Sequence, residues 1–80
     1  MRLDKYLKVS RVIKRRTVAN EICDQGQASV NGRVAKAGLE VKPGDKIEIT
    51  LGERVIRIEI LEVKESIAAK DAATLYRNLE

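Results

Sequence analysis

The sequence predicts an α+β domain, in which two N-terminal helices pack on a small antiparallel sheet and a short C-terminal helix follows. Three observations carry this reading. Before Gly26, apolar residues recur at three- and four-residue spacing. From Ala28 onward the period changes to two. The alternating runs are separated by turn pairs: Asn31-Gly32, Pro43-Gly44 and Gly52-Glu53. Eighty residues make one domain, read here as a core over 1–51 and a strand-and-helix extension of the same domain over 52–80.

The first helix is expected over 3–8. Leu3, Tyr6 and Leu7 share one face, Lys5 and Lys8 the other, and Asp4 sits in the first turn, where the helix dipole favours a carboxylate. The β-branched residues Val9, Val12 and Ile13 weaken a continuation, so a bend is expected around 10–13. A second helix is expected over 16–25, with Val18, Ala19, Ile22 and Cys23 as its apolar face. Thr17 is a candidate cap, and Gly26 suits the left-handed residue after the helix. Ala28 and Val30 then alternate with Ser29, Asn31-Gly32 turns the chain, and 33–36 returns. Residues 46–51 alternate with Ile47, Ile49 and Leu51 on one face, and 55–63 alternate with Ile56, Ile58 and Ile60 opposite Val55, Arg57 and Glu59. Ser66 is a candidate cap for a last helix over 67–79, with Ala69, Ala72, Ala73, Leu75, Tyr76 and Leu79 as apolar positions.

Composition narrows the chemistry. A single cysteine and no histidine exclude an internal disulfide framework and a metal site built on Cys or His ligands. No Ser/His/Asp set and no phosphate-cradling glycine loop is present, so neither an enzyme nor a cofactor is expected. No apolar run approaches the length of a membrane span and no signal-peptide pattern opens the chain; a cytoplasmic protein without a membrane partner is expected.

The net charge of +4 is unevenly spread. Arg2, Lys5, Lys8, Arg11, Lys14, Arg15 and Arg16 stand against Asp4 alone in the first sixteen residues, whereas acidic residues outnumber basic ones from 37 onward. A basic end on a small domain points to a polyanion; the plainer alternative is a solvated charged face. Only Tyr6 and Tyr76 are aromatic, and both fall on apolar positions. Stacking on unpaired bases is thus poorly supplied, and recognition through phosphates and RNA shape fits better.

The ordered set Arg2-Leu3-Asp4-Lys5-Tyr6-Leu7, Arg16 with Ala19 and Ile22, Gly26, Ser29-Val30-Asn31-Gly32, and Val41, Gly44-Asp45 and Ile47 resembles the RNA-binding domain named after small-subunit ribosomal protein four. The likeness covers residues 2–51. The remainder resembles the stand-alone members of that family, the heat-shock-protein-fifteen-like group, and most of all its Gram-positive ribosome-quality-control branch, the RqcP group. That resemblance implies binding to large-subunit ribosomal RNA and peptidyl-tRNA on obstructed large subunits. It also implies cooperation with a tailing factor that brings alanyl-tRNA and extends the stalled chain with alanine. Carried over residue by residue, it implies an RNA surface of Arg2, Lys5, Lys8, Arg11, Lys14, Arg15, Arg16, Asn31, Arg33 and Lys36. Asp4 is expected to order Arg2 or the helix start. Arg15 departs from the family, which usually has Ser or Thr there; a hydroxyl cap gives way to a further cation. A monomer is expected.

Other readings stay open at the level of sequence. One is a general heat-shock-type recycling factor for large subunits carrying nascent chains. Another is a DNA-binding helix-turn-helix, although Glu21 and Asp24 on the second helix would repel DNA. A third is a protein-interaction or ribosome-assembly adaptor using Glu48, Glu59, Glu62 and Glu65. The targeting half of an RNA-modifying enzyme is disfavoured, because the chain has no room for a catalytic domain.

Overall fold

The computed structural model describes residues 1–79. Helix α1 spans Leu3–Val9 and α2 spans Arg16–Asp24. Strands β1 (Ala28–Val30), β2 (Arg33–Val34), β3 (Lys46–Leu51), β4 (Arg54–Ile60) and β5 (Tyr76–Asn78) form one antiparallel sheet in the order β2-β1-β3-β4-β5, and a 3-10 helix, Ala69–Leu75, precedes β5. Leu3, Tyr6 and Leu7 of α1 and Ala19, Ile22 and Cys23 of α2 bury their apolar faces in one core with Ile47, Ile49, Ile58 and Ile60 of the sheet. The Tyr6 hydroxyl donates to the Leu75 carbonyl at 2.9 Å, tying α1 to the end of the 3-10 helix.

The expected bend follows α1. Arg11 adopts a left-handed conformation, φ 61°, and the amide of Ile13 returns to the Leu7 carbonyl. This turn sends Ile13 into the core and leaves Arg11 and Lys14 exposed. Helix α2 begins at Arg16, with Arg15 extended before it as the N-cap. No side-chain cap hydrogen bond forms, so Thr17 does not cap as expected. Val18 also departs from expectation: it is exposed, because α1 and the sheet already occupy the face held by Ala19, Ile22 and Cys23.

The β1–β2 turn has Asn31 at φ 53° and Gly32 at φ 85°, two successive left-handed residues as a primed hairpin turn requires. A Cβ on Gly32 would meet no atom within 4 Å, so any cost of substitution comes from the backbone alone. Gly32→Val should therefore destabilise the domain by about 1–3 kcal/mol, while Gly32→Asn should lose much less. Urea denaturation of the two variants checks this; a Gly32→Val midpoint equal to the unaltered protein's would remove the turn from the folding argument.

The C-terminal region differs most from expectation. The predicted helix over 67–79 is a 3-10 turn followed by a strand, with Ala68 extended at its start and no cap from Ser66. Two causes act together. Only Ala72 and Leu75 of the turn are buried, three residues apart, which is the 3-10 period and too narrow a stripe for an α-helix. Meanwhile β4 would otherwise be an open edge, and β5 covers it with Ile58↔Asn78, Glu59↔Arg77 and Ile60↔Tyr76 in register. Strand β4 stops at Ile60, short of the expected 63, because the amides of Leu61 and Glu62 both turn to the Leu75 carbonyl. Strand β2 is likewise limited to two residues: the Ala35 amide makes a last bond to the Ala28 carbonyl of β1, and the chain then turns away so that Ala37 and Leu39 meet the start of α1.

Candidate nucleic-acid interface

The junction of α1, α2 and the 37–40 loop is organised by Asp4. Its side chain is 3% exposed. The carboxylate accepts Arg2 Nε at 3.2 Å and Arg2 Nη2 at 3.5 Å. Arg16 approaches with Nε at 3.3 Å and Nη2 at 3.5 Å. Asn20 Nδ2 lies at 3.4 Å and the Lys5 amide at 2.8 Å. The loop completes the junction: the Asp4 amide donates to the Ala37 carbonyl, the Leu3 amide to the Leu39 carbonyl, and the backbones of Arg2 and Glu40 form an isolated antiparallel β-bridge. The Arg2 guanidinium packs on Gly38, where an added Cβ would lie 3.7 Å from it.

Burial works to raise the Asp4 pKa, but the hydrogen bonds from Arg2, Arg16, Asn20 and the Lys5 amide outweigh it and hold the carboxyl below its usual range. Asp45 is lowered in the same way: burial opposes, while Asn31 and the Lys42 amide and ammonium prevail. Both groups therefore bind protons less readily folded than unfolded. Their contribution to stability is complete above the ordinary carboxylate range, about pH 4, and is lost as pH falls through their lowered values. Urea midpoints should be level from pH 7 to about 5 on this account and then decline, with a shallower acid decline in Asp45→Asn relative to its own neutral value.

The candidate cations sort into distinct surroundings. Arg2 and Arg16 are half-exposed, 49% and 47%, with both guanidinium groups on Asp4. Arg33 and Lys36 line a groove of about 730 Å³ with Val34, Leu39, Lys42 and Asp45, and its lining includes Glu40, whose backbone meets Arg2. Lys14 and Arg15 are exposed on the approach to α2, whose first turn carries no acid and whose leading N–H groups receive no side-chain cap. Lys8 and Arg11 lie elsewhere, beside Glu65, Ser66 and Ile67. Lys5 pairs with Glu65 across sixty residues of chain. Asn31 is exposed, yet its amide serves the hairpin: Nδ2 donates to Asp45 at 3.1 Å and Oδ1 accepts the Lys46 amide at 3.0 Å.

Two residues outside the sequence-derived set belong to this surface. Asn20 stands one helical turn after Arg16 and shares its partner; the four-residue spacing is the signal that could have found it. Lys42 is held over the groove by Asp45 at 3.3 Å, three residues on. Glu21 and Asp24 are exposed on α2, which sets an acidic edge beside the basic junction.

Comparison with known proteins gives this geometry a family. The S4 domain model matches residues 1–47, the segment that contains both arginines, Asp4 and the hairpin. The RQC P-site tRNA stabilizing factor of Halalkalibacterium halodurans is 57% identical over 76 residues, covering 95% of this chain and 86% of that protein. The factor of the same name from Bacillus subtilis is 48% identical over 80 residues, 100% of this chain and 93% of that protein. Among solved structures, the trimeric structure of Vibrio cholerae Heat Shock Protein 15 superposes with a TM-score of 0.90 at 31% identity, over 99% of this chain and 81% of that one. A shared fold, a family model that spans the basic junction and this degree of identity have one source: the chain belongs to the S4 domain family, in the group of the RQC P-site tRNA stabilizing factors.

Proposed function

We propose that the chain is an RNA-binding factor of ribosome quality control. It binds large-subunit ribosomal RNA and peptidyl-tRNA together on obstructed large subunits in the cytoplasm, and holds the tRNA while a tailing factor that brings alanyl-tRNA extends the stalled chain with alanine. The observation that carries this reading is the Asp4 junction: two half-exposed arginines from separate elements, fixed on one buried carboxylate, within the segment that matches the S4 domain. Arginine in that setting presents several N–H donors to phosphate oxygens. The names of the relatives supply the tRNA and its site.

A single small surface offers each RNA few contacts. Two RNAs that lie together only in the obstructed complex would be bound jointly, with the avidity of linked sites. Large subunits carrying peptidyl-tRNA should therefore bind at least about tenfold more tightly than empty large subunits. Equilibrium binding to the two particles tests this, and equal affinity would defeat the bridging reading. In the cell, deletion should abolish alanine tails on stalled chains; tails that persist would favour a general recycling role for large subunits carrying nascent chains.

The adaptor reading loses support from the ion pairs. Glu48 meets Arg57 at 2.6 Å, Glu59 meets Arg77 at 2.6 Å, Glu62 meets Lys64 at 4.0 Å, and Glu65 meets Lys5. Each of these four acids already faces a cation. A DNA-reading role for α2 is disfavoured by the exposed Glu21 and Asp24.

A further inference from the structure

We propose that Asp4 is a positioning residue for RNA: it locks Arg2 and Arg16 into one rigid pair of guanidinium groups whose outer edges grip backbone phosphates. The inference rests on the RNA-binding reading above and adds to it the residue that shapes the grip.

A carboxylate in a phosphate-binding surface needs an explanation, because an exposed one would repel the ligand. Asp4 is sealed from solvent, and its two oxygens are occupied by two guanidinium groups, one amide side chain and one backbone amide. Each arginine approaches with Nε and Nη2, the same edge in both cases. A guanidinium has five N–H donors. The edge on Asp4 uses two of them, so three on each arginine remain for another acceptor, and both side chains are about half exposed. The anchor thus fixes the plane and direction of each group before RNA arrives, and less side-chain freedom is lost on binding. Asn20 steadies the same carboxylate from the next turn of α2. A lysine carries equal charge, but its three donors radiate from one nitrogen, so it offers no planar two-donor edge to fix on Asp4 while a second edge faces a phosphate.

Charge and geometry make opposite forecasts here, which allows a decisive test. The probe is a large subunit carrying peptidyl-tRNA, and affinity is measured across a salt series. Arg2→Lys/Arg16→Lys keeps both charges; positioning predicts about tenfold weaker binding with an unchanged salt slope. Asp4→Asn raises the net charge by one; simple electrostatics predicts tighter binding, positioning predicts about five- to tenfold weaker binding in the folded protein. Lysine variants that bind like the unaltered protein overturn the inference and leave the RNA-binding reading intact. They decide the matter even if Asp4→Asn fails to fold, since Arg2 and Arg16 are half-exposed and their replacement by lysine leaves no cavity. If the unaltered protein does not bind the probe, the RNA-binding reading falls first and this inference with it.

Discussion

Affinity for large subunits carrying peptidyl-tRNA should fall by about 200- to 4,000-fold when monovalent salt rises from about 50 to 200 mM. The size of the effect follows from how many cations are free to meet phosphate. Nine of the ten residues expected at the surface are basic, but they are not equally available. Lys5 already has Glu65 as a counterion, and Arg2 and Arg16 share the charge of Asp4. Counting about five to seven effective phosphate contacts, log K should decline with log salt at a slope of roughly −4 to −6. The measurement is a binding isotherm at four or five salt concentrations. A slope shallower than about −2 would show that the basic end is not the surface in use, whatever the absolute affinity.

What the sequence made legible, and what it did not, divides by the distance over which the determining contact acts. Helix α1, the bend, α2 and the Asn31-Gly32 hairpin each follow from residues within one or two turns of one another, and each stands where the spacing places it. The 67–79 segment did not, because its local pattern is weak: alanines support a helix but bury little, and the unpaired edge of β4 lies some twenty residues away. Val18 was misplaced for a related reason. Its spacing suits the buried stripe, and only the packing of α2 against α1 reveals where that stripe ends. The site shows the same limit. The basic run was plain, and the family motif drew attention to Asp4, Arg2 and Arg16. The four-residue spacing could pair Asn20 with Arg16, but that the Asp4 carboxylate joins both of them to Arg2 is a tertiary fact with no period to announce it. The pairing of Lys5 with Glu65 is likewise invisible in the sequence, and it changes how much Lys5 is worth to a phosphate.

Removing both arginines should then weaken binding far more than removing an equal charge elsewhere. Arg2→Ala/Arg16→Ala should lower affinity for large subunits carrying peptidyl-tRNA by about 30- to 1,000-fold, taking roughly 1–2 kcal/mol for each charge-assisted phosphate contact. The salt slope should become shallower by about two, one for each lost cation. Arg57→Ala, which breaks the pair with Glu48 on the sheet, should bind within about twofold of the unaltered protein, since it removes charge from another surface. The double variant also leaves Asp4 buried with only Asn20 and the Lys5 amide, so stability should drop by about 1–3 kcal/mol and the Asp4 pKa should rise. Thermal unfolding must therefore accompany the binding series, so that affinity is compared for folded protein alone. If the double variant, once shown to be folded, binds as tightly as the unaltered chain while Arg57→Ala does not, the RNA contacts lie on the sheet and the Asp4 junction serves the fold alone. If both the affinity and the slope change as stated, the two arginines account for about two of the phosphate contacts. The rest must then come from the α2 approach, the hairpin groove and the end of α1.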